Sequence, residues 1–362
     1  MGNKPRGPLR RGWTTGACAA AAAKAAYAAL LTGKFPDPVE IRLPKGDRPS
    51  FVLARQSLSS PDLATAGIVK DAGDDPDVTH GALILSHVRL LQPGAGVVFR
   101  AGKGVGIITK PGLPLPVGEP AINPAPRQIM REAIAELAEI HGASGDLEVT
   151  VEVPNGAELA RHTWTPRLGI LGGISILGTT GVVHPYTCSA WIASIHRGID
   201  VCRANGVEHA AACTGSTSEA TVQRLYHLPE YALIDMGDFA GGTLKYLRRH
   251  PIPRLTIAGG FGKLSKLAGG AMDLHSGRSE VDREQLAEVL LSLGAMPPLA
   301  MAVRSANTAG EVLGLAQSAG LLLGDAIAAR ARDQALAMLD GDVTVEVIVV
   351  DRAGEVVGRA GF

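Results

Sequence analysis

The sequence predicts an α+β domain over residues 1–187 followed by an α/β Rossmann-like three-layer domain over residues 188–362. Three observations carry that reading. The chain has 362 residues, more than one ordinary core holds at roughly 150 residues per domain. Its first half is mostly strand-like runs with few helical stretches. After about residue 188, strand, glycine-rich turn and helix recur in that order, the grammar of βα units in a parallel sheet.

The elements follow in order. In "RRGWTTGACAAAAAKAAYAALL", residues 10–31, the alanine run has the strongest helix propensity available, with Thr14 or Thr15 as N-cap and Gly33 as the stop. Tyr27, Leu30 and Leu31 supply its bulk, and the alanine side is smooth enough for close backbone approach and for self-association into a homo-oligomer. "VEIRL" and "SFVLA" read as a hairpin turned at Lys45-Gly46-Asp47, and "GALILSHVRLL", "GVVFRA" and "LEVTVEV" read as strands. "PRQIMREAIAELAEI" reads as an amphipathic helix starting after Pro126. In the second half "HAAAC", "YALIDM" and "RLTIAG" are strands. "CSAWIASIHRGIDVCRANG", "SEATVQRLY", "GGTLKYLRRH" and a segment from Lys263 are helices. "VTVEVIVVDRAGEVVGRAG" reads as a hairpin assignable to either domain.

Composition excludes several functions. With 46% hydrophobic and 19% charged residues the chain suits a globular enzyme or binding protein. A formal net charge of zero and 4% aromatic residues give no footprint for nucleic acid or an anionic membrane. Cys18, Cys188, Cys202 and Cys213 form no CxxC pair, so neither zinc binding nor a disulfide framework is indicated, and a cytoplasmic location fits. Arg10-Arg11 before small residues imitates an export signal, but alanine is too weakly apolar for the signal's core and Lys24 interrupts it. No run reaches the ~18 apolar residues of a membrane span.

Four constellations are candidates for chemistry. The helix start at "RRGWTTGA" offers free N–H groups, the hydroxyls of Thr14 and Thr15 and the guanidinium groups of Arg10 and Arg11 to a carboxylate or phosphate, or is an ordinary cap. "KDAGDDPDVTHG" gathers Asp71, Asp74, Asp75, Asp77 and His80, either as a general base, a metal or hydrogen-bond acceptor set, or an acidic surface turn; its spacing is not that of an EF-hand, and no metal is assigned. "AGKGVGIITKPG" sets Lys103 and Lys110 among glycines, as a ligand loop or a strained hairpin, and is not a Walker loop. The turns "CTGSTSE", "MGDFAGG" and "AGGFGKLSK" follow successive strands and converge on one sheet edge, where a cofactor would meet Thr214, Gly215, Gly237, Asp238, Gly241, Gly259, Gly260 and Gly262. Asp238 is placed to take a ribose hydroxyl pair, and "MDLHSGRSEVD" adds Asp273, His275 and Arg278.

These stretches, together with "GGISILGTTGVVHP" and "SANTAGEVL", run in order from about Leu9 to Leu313 and resemble the cobalt-precorrin-5B C-1 methyltransferases of cobalamin biosynthesis. Trp13 and Ala17 depart from the tyrosine and the hydroxyl residue expected there. The resemblance implies S-adenosylmethionine as methyl donor, a tetrapyrrole as acceptor and an α+β portion before a Rossmann-like one. A polyacidic ring suits Arg10, Arg11, Lys103 and Lys110, and Asp74, Asp75 and His275 are the candidates if a ring N–H must lose its proton. The alternatives are a nucleotide-dependent enzyme, against which the missing Walker and GxGxxG motifs speak, and a non-catalytic tetrapyrrole-binding protein.

Overall fold

The computed structural model describes residues 7–362 and is a mixed α/β chain with several sheets. It divides into two compact units, Met1–Cys188 and Ser189–Phe362.

The first unit is built around helix α1, Thr15–Thr32. The Thr14 hydroxyl accepts the Ala17 N–H at 3.2 Å, and Gly33, left-handed at φ 73°, closes the other end onto the Ala29 carbonyl. Residues Ala17 to Ala29 are buried except for Lys24, which reaches Glu136 at 2.7 Å. The alanine face is therefore inside this unit's own core, and the basis for expecting self-association through it is gone. Strands β1 (Arg55–Ser60), β2 (Leu63–Val69), β3 (Leu83–Leu90) and β4 (Val97–Ala101), helix α2 (Pro124–His141) and strand β5 (Leu147–Glu152) complete the frame. The sheet order is β1-β2-β3-β5-β4, antiparallel except for the parallel pair β5–β4. Because α1 carries methyls only from Ala19 to Ala23, it lies close enough on the sheet there for the Ser86 hydroxyl of β3 to donate to the Ala19 carbonyl at 2.9 Å. Helix α2 starts three residues earlier than the sequence predicts, with Pro124 in its first turn, where the missing N–H costs nothing. The expected hairpin is present but shrinks to Val39–Glu40 against Ser50–Phe51.

The second unit strings together α3 (Cys188–Ala204), β6 (His209–Cys213), α4 (Ser216–Tyr226), β7 (Leu233–Asp235), α5 (Ala240–Arg249), β8 (Arg254–Gly260) and α6 (Phe261–Ala268). Four further helices follow, α7 (Arg283–Ser292), α8 (Pro297–Ser305), α9 (Ala309–Ser318) and α10 (Leu323–Leu339), then β9 (Thr344–Val350) and β10 (Val356–Ala360). The sheet order is β7-β6-β8-β9-β10, parallel but for the last pair, so the C-terminal hairpin belongs to this unit. The chain leaves β6 toward β7 and then jumps back across it to β8. Helix α4 packs on β6, β8 and β9, while α10 packs with α5, α6, β9 and β10. The switch point lies between the carboxyl ends of β6 and β8, where ligands of open parallel sheets bind.

Candidate active site

In the first unit the sequence-predicted anion grip is largely closed. The Thr15 hydroxyl donates to the Leu177 carbonyl at 3.1 Å and accepts the Leu177 N–H at 3.0 Å, and the Gly16 N–H takes the same carbonyl at 3.0 Å. With Thr14 engaged as cap, both hydroxyls position the chain rather than a ligand. Arg10 pairs through both terminal nitrogens with Asp71, whose carboxyl that guanidinium holds down at about 2. Arg11 is exposed on the same segment.

The acidic stretch staples that segment down. Asp74 accepts the Arg10 N–H at 2.6 Å, Asp75 the Tyr186 N–H at 2.8 Å, and Asp77 pairs at 2.7 Å with Lys70, which is only 1% exposed. Gly12 and Gly73 cross with no room for a side chain: a Cβ on Gly12 would lie 2.0 Å from the Ala72 carbonyl carbon. Asp74 and Asp75 are thus loop staples, which removes the reason to assign them as bases. His80 Nδ1 accepts the Ala72 N–H at 3.1 Å, so the neutral ring carries its proton on Nε2 and is a donor there. Lys103 is exposed, whereas the stem of Lys110 packs on Gly169. The glycines around Lys103 serve chain packing: a Cβ on Gly104 would sit 1.9 Å from the Val153 carbonyl oxygen.

In the second unit the three glycine turns do meet at the switch point. The Thr214 N–H extends the ladder to the Ala258 carbonyl at 2.9 Å. Lys263, in the first turn of α6, lies 2.9 Å from the Thr214 carbonyl oxygen and 3.0 Å from Asp238 Oδ1. The Leu274 N–H donates to the Asp238 carbonyl at 2.8 Å, bringing the 271–275 loop alongside.

The six glycines assigned to a cofactor separate by what a Cβ would meet. Gly215 and Gly260 face open space, with nothing within 4 Å. Gly241 is pressed on Met272 at 2.8 Å, Gly259 on the Thr214 side chain at 2.7 Å, Gly262 on Ala309 at 3.3 Å, and Gly237 on the Trp191 ring at 3.2 Å. These four are packing glycines, and of the six only Gly215 and Gly260 have room for a ligand to approach the backbone. His275 is exposed and its Nδ1 accepts the Gly277 N–H at 3.0 Å, leaving Nε2 protonated in the neutral ring. A ring so held presents its Nε2–H as a donor.

Sequence reasoning missed Lys263 as a site residue and the Trp191–Phe239 ring pair beside Gly237, whose indole N–H donates to the Asp235 carbonyl at 3.1 Å. For Lys263 the signal was there, a lysine three residues after a strand-end glycine; Trp191 stands 46 residues before Gly237, so nothing local marked the ring pair. A separate cleft lined by Lys266, Glu280, Asp282, Glu284 and Glu288 receives no strand-end turn, and its carboxylates would repel a polyacidic ligand.

Gly215 and Gly260 thus stand in open space at the carboxyl ends of β6 and β8, beside the Asp238–Lys263 pair, at the position where open parallel sheets bind ligands. The chain belongs to the CbiD family: the CbiD model matches residues 2–185 and the CbiD C-terminal domain residues 273–361. It is 63% identical to the cobalt-precorrin-5B C(1)-methyltransferase of Paramagnetospirillum magneticum, covering 97% of this chain and 98% of that protein. The protein of the same name from Brucella anthropi is 59% identical, covering 99% and 97%. A crystal structure of a cobalamin biosynthesis protein (cbiD) from Archaeoglobus fulgidus is 28% identical over 75% of this chain and 83% of that one, with a TM-score of 0.41. Among the described residues no helix is long and apolar enough to cross a membrane.

Proposed function

We propose that this chain transfers a methyl group from S-adenosylmethionine to C-1 of cobalt-precorrin-5B, giving cobalt-precorrin-6A, as a cytoplasmic enzyme of cobalamin biosynthesis. In this reading the second unit is a Rossmann-like three-layer domain for the donor and the first unit contacts the tetrapyrrole. The observation that carries the donor half is the open space over Gly215 and Gly260 beside the Asp238–Lys263 pair. The relatives' shared name supports the acceptor and the carbon methylated.

Gly215 and Gly260 would let the donor rest on backbone, and Asp238 would take its ribose hydroxyls. When bound, the donor supplies a methyl on a positively charged sulfur, which a ring carbon displaces in line. The chain's contribution is alignment and exclusion of water, since the sulfonium charge disperses as the methyl leaves. No side chain at the crevice need act as a base. Arg11, Lys103 and the Nε2–H of His80 are exposed donors of the first unit that could take acceptor carboxylates, and cobalt belongs to the substrate. Incubating the purified protein with methyl-labelled S-adenosylmethionine and cobalt-precorrin-5B tests the reading. Label is expected on the ring at C-1; ring binding without label transfer would make the protein a carrier and overturn it.

A further inference from the structure

Lys263 does something that neither strand-end glycine nor carboxylate does alone. Its ammonium bonds to the carbonyl of Thr214, in the turn after β6, and to the carboxylate of Asp238, in the turn after β7, while the lysine itself stands in the first turn of α6, which follows β8 directly. One side chain therefore joins the turns after β6 and β7 to the start of α6 at the switch point. The main chains it touches are fixed without it: Thr214 by the Ala258 carbonyl and Asp238 by the Leu274 N–H. Among the described residues, Lys263 is the side chain that pairs with the Asp238 carboxylate. The side chains are 36% and 16% exposed, so the pair is only partly screened by water.

Resting on the donor reading above, we infer that Lys263 is a positioning residue that holds Asp238 toward the donor's ribose hydroxyls and cancels its charge. The donor carries a positive sulfur bonded to C5′ of that ribose, whereas its spent product, adenosylhomocysteine, is an uncharged thioether. A bare carboxylate beside the ribose attracts the sulfonium and ignores the thioether. A carboxylate paired with an ammonium discriminates far less between them, so affinity comes from hydrogen bonds common to both.

The test is calorimetric titration of the full chain with S-adenosylmethionine and with adenosylhomocysteine, for wild type, Lys263→Gln, Lys263→Arg and Asp238→Asn. Lys263→Gln is expected to weaken adenosylhomocysteine roughly ten-fold, the loss of an orienting charged hydrogen bond. It should weaken the donor less, so that the ratio of the two dissociation constants shifts at least about three-fold toward the donor. Lys263→Arg, which keeps the charge, is expected to keep the wild-type ratio. A Lys263→Gln ratio equal to wild type, whatever happens to the Tm, or the same ratio shift in the Arg variant, overturns the inference alone. Wild type that binds neither compound, or Asp238→Asn that binds both as wild type does, overturns the donor reading and this inference with it.

Discussion

Gly260 and Gly241 look alike in sequence, each in a glycine pair at the start of a helix, and the structure gives them opposite duties. Gly260 has an ordinary φ of −66° and open space before it, whereas Gly241 is pressed on Met272 and its N–H donates to the Met272 carbonyl at 2.8 Å. Gly260→Leu is therefore expected to abolish adenosylhomocysteine binding while costing less than about 1 kcal/mol of stability, the scale of a poorer N-cap. Gly241→Leu should cost about 1–3 kcal/mol by overpacking. Titration beside thermal unfolding separates them: a Gly260→Leu protein with normal affinity would put the donor elsewhere. The convergence of the turns was legible in the sequence because it follows from strand order alone. Which glycines face ligand was not, because that depends on neighbours such as Met272 and Ala309, 31 and 47 residues downstream in the chain. The tautomers of His80 and His275 were hidden for the same reason, being set by backbone N–H groups in their loops.

At the scale of elements, the segment before α1 is held by the acidic loop more than by its own short pairing of Gly12–Trp13 with Val182–Val183. The Trp13 N–H donates to the Asp71 carbonyl at 2.7 Å, and the Asp71 side chain holds Arg10 and the Gly73 N–H. The guanidinium of Arg10 lowers the Asp71 carboxyl from 3.8 to about 2. A depressed folded value means the clamp contributes fully above the unfolded value and loses its contribution as pH falls through the folded one. Both side chains are about half exposed, so the expected difference between wild type and Asp71→Asn is at most about 1 kcal/mol. In urea unfolding it should be present at pH 5 and gone near pH 2; a difference that persists unchanged in acid would mean the pair does not titrate with folding. The alanine helix was readable from propensity, and its cap and stop from Thr14 and Gly33. Strands β1 and β2 were not: β1 is exposed along nearly its whole length, and β2 carries Ala64 and Ala66 where it packs under the small side chains of α1. Small residues packed on small residues bury a strand without the alternating bulk that announces one.

At the scale of the whole molecule, the two large apolar cores each draw on a single unit, one from Ala17 to Ile176 and the other from Ile195 to Ala360. The sequence left the C-terminal hairpin between them because "VTVEVIVV" is apolar enough for either. The deciding residue is Glu346, whose charge looks misplaced in a buried strand until its partners are seen. Fully buried in β9, it accepts from the Tyr226 hydroxyl, from Thr256 at 2.9 Å and from Arg359 of β10 at 2.7 Å. Burial and the hydrogen bond to Glu346 push the Tyr226 hydroxyl up to about 12, so it stays a donor across the physiological range. Removing one partner from a buried ion pair costs about 3–5 kcal/mol because a charge is left uncompensated. Arg359 is half exposed and two hydroxyl donors would remain, so Arg359→Met is expected to cost less, about 2–3 kcal/mol. Neutralising the stranded acid as well, in Arg359→Met with Glu346→Gln, should recover most of that loss. Because the core that β9 completes is confined to the second unit, hydrogen exchange should quicken in β8, β9 and α10 and stay unchanged in α1 and β3. Equal loss in the single and double variants would mean that Arg359 acts by packing its stem and not by charge. Faster exchange in α1 would mean that the stabilities of the two cores are coupled.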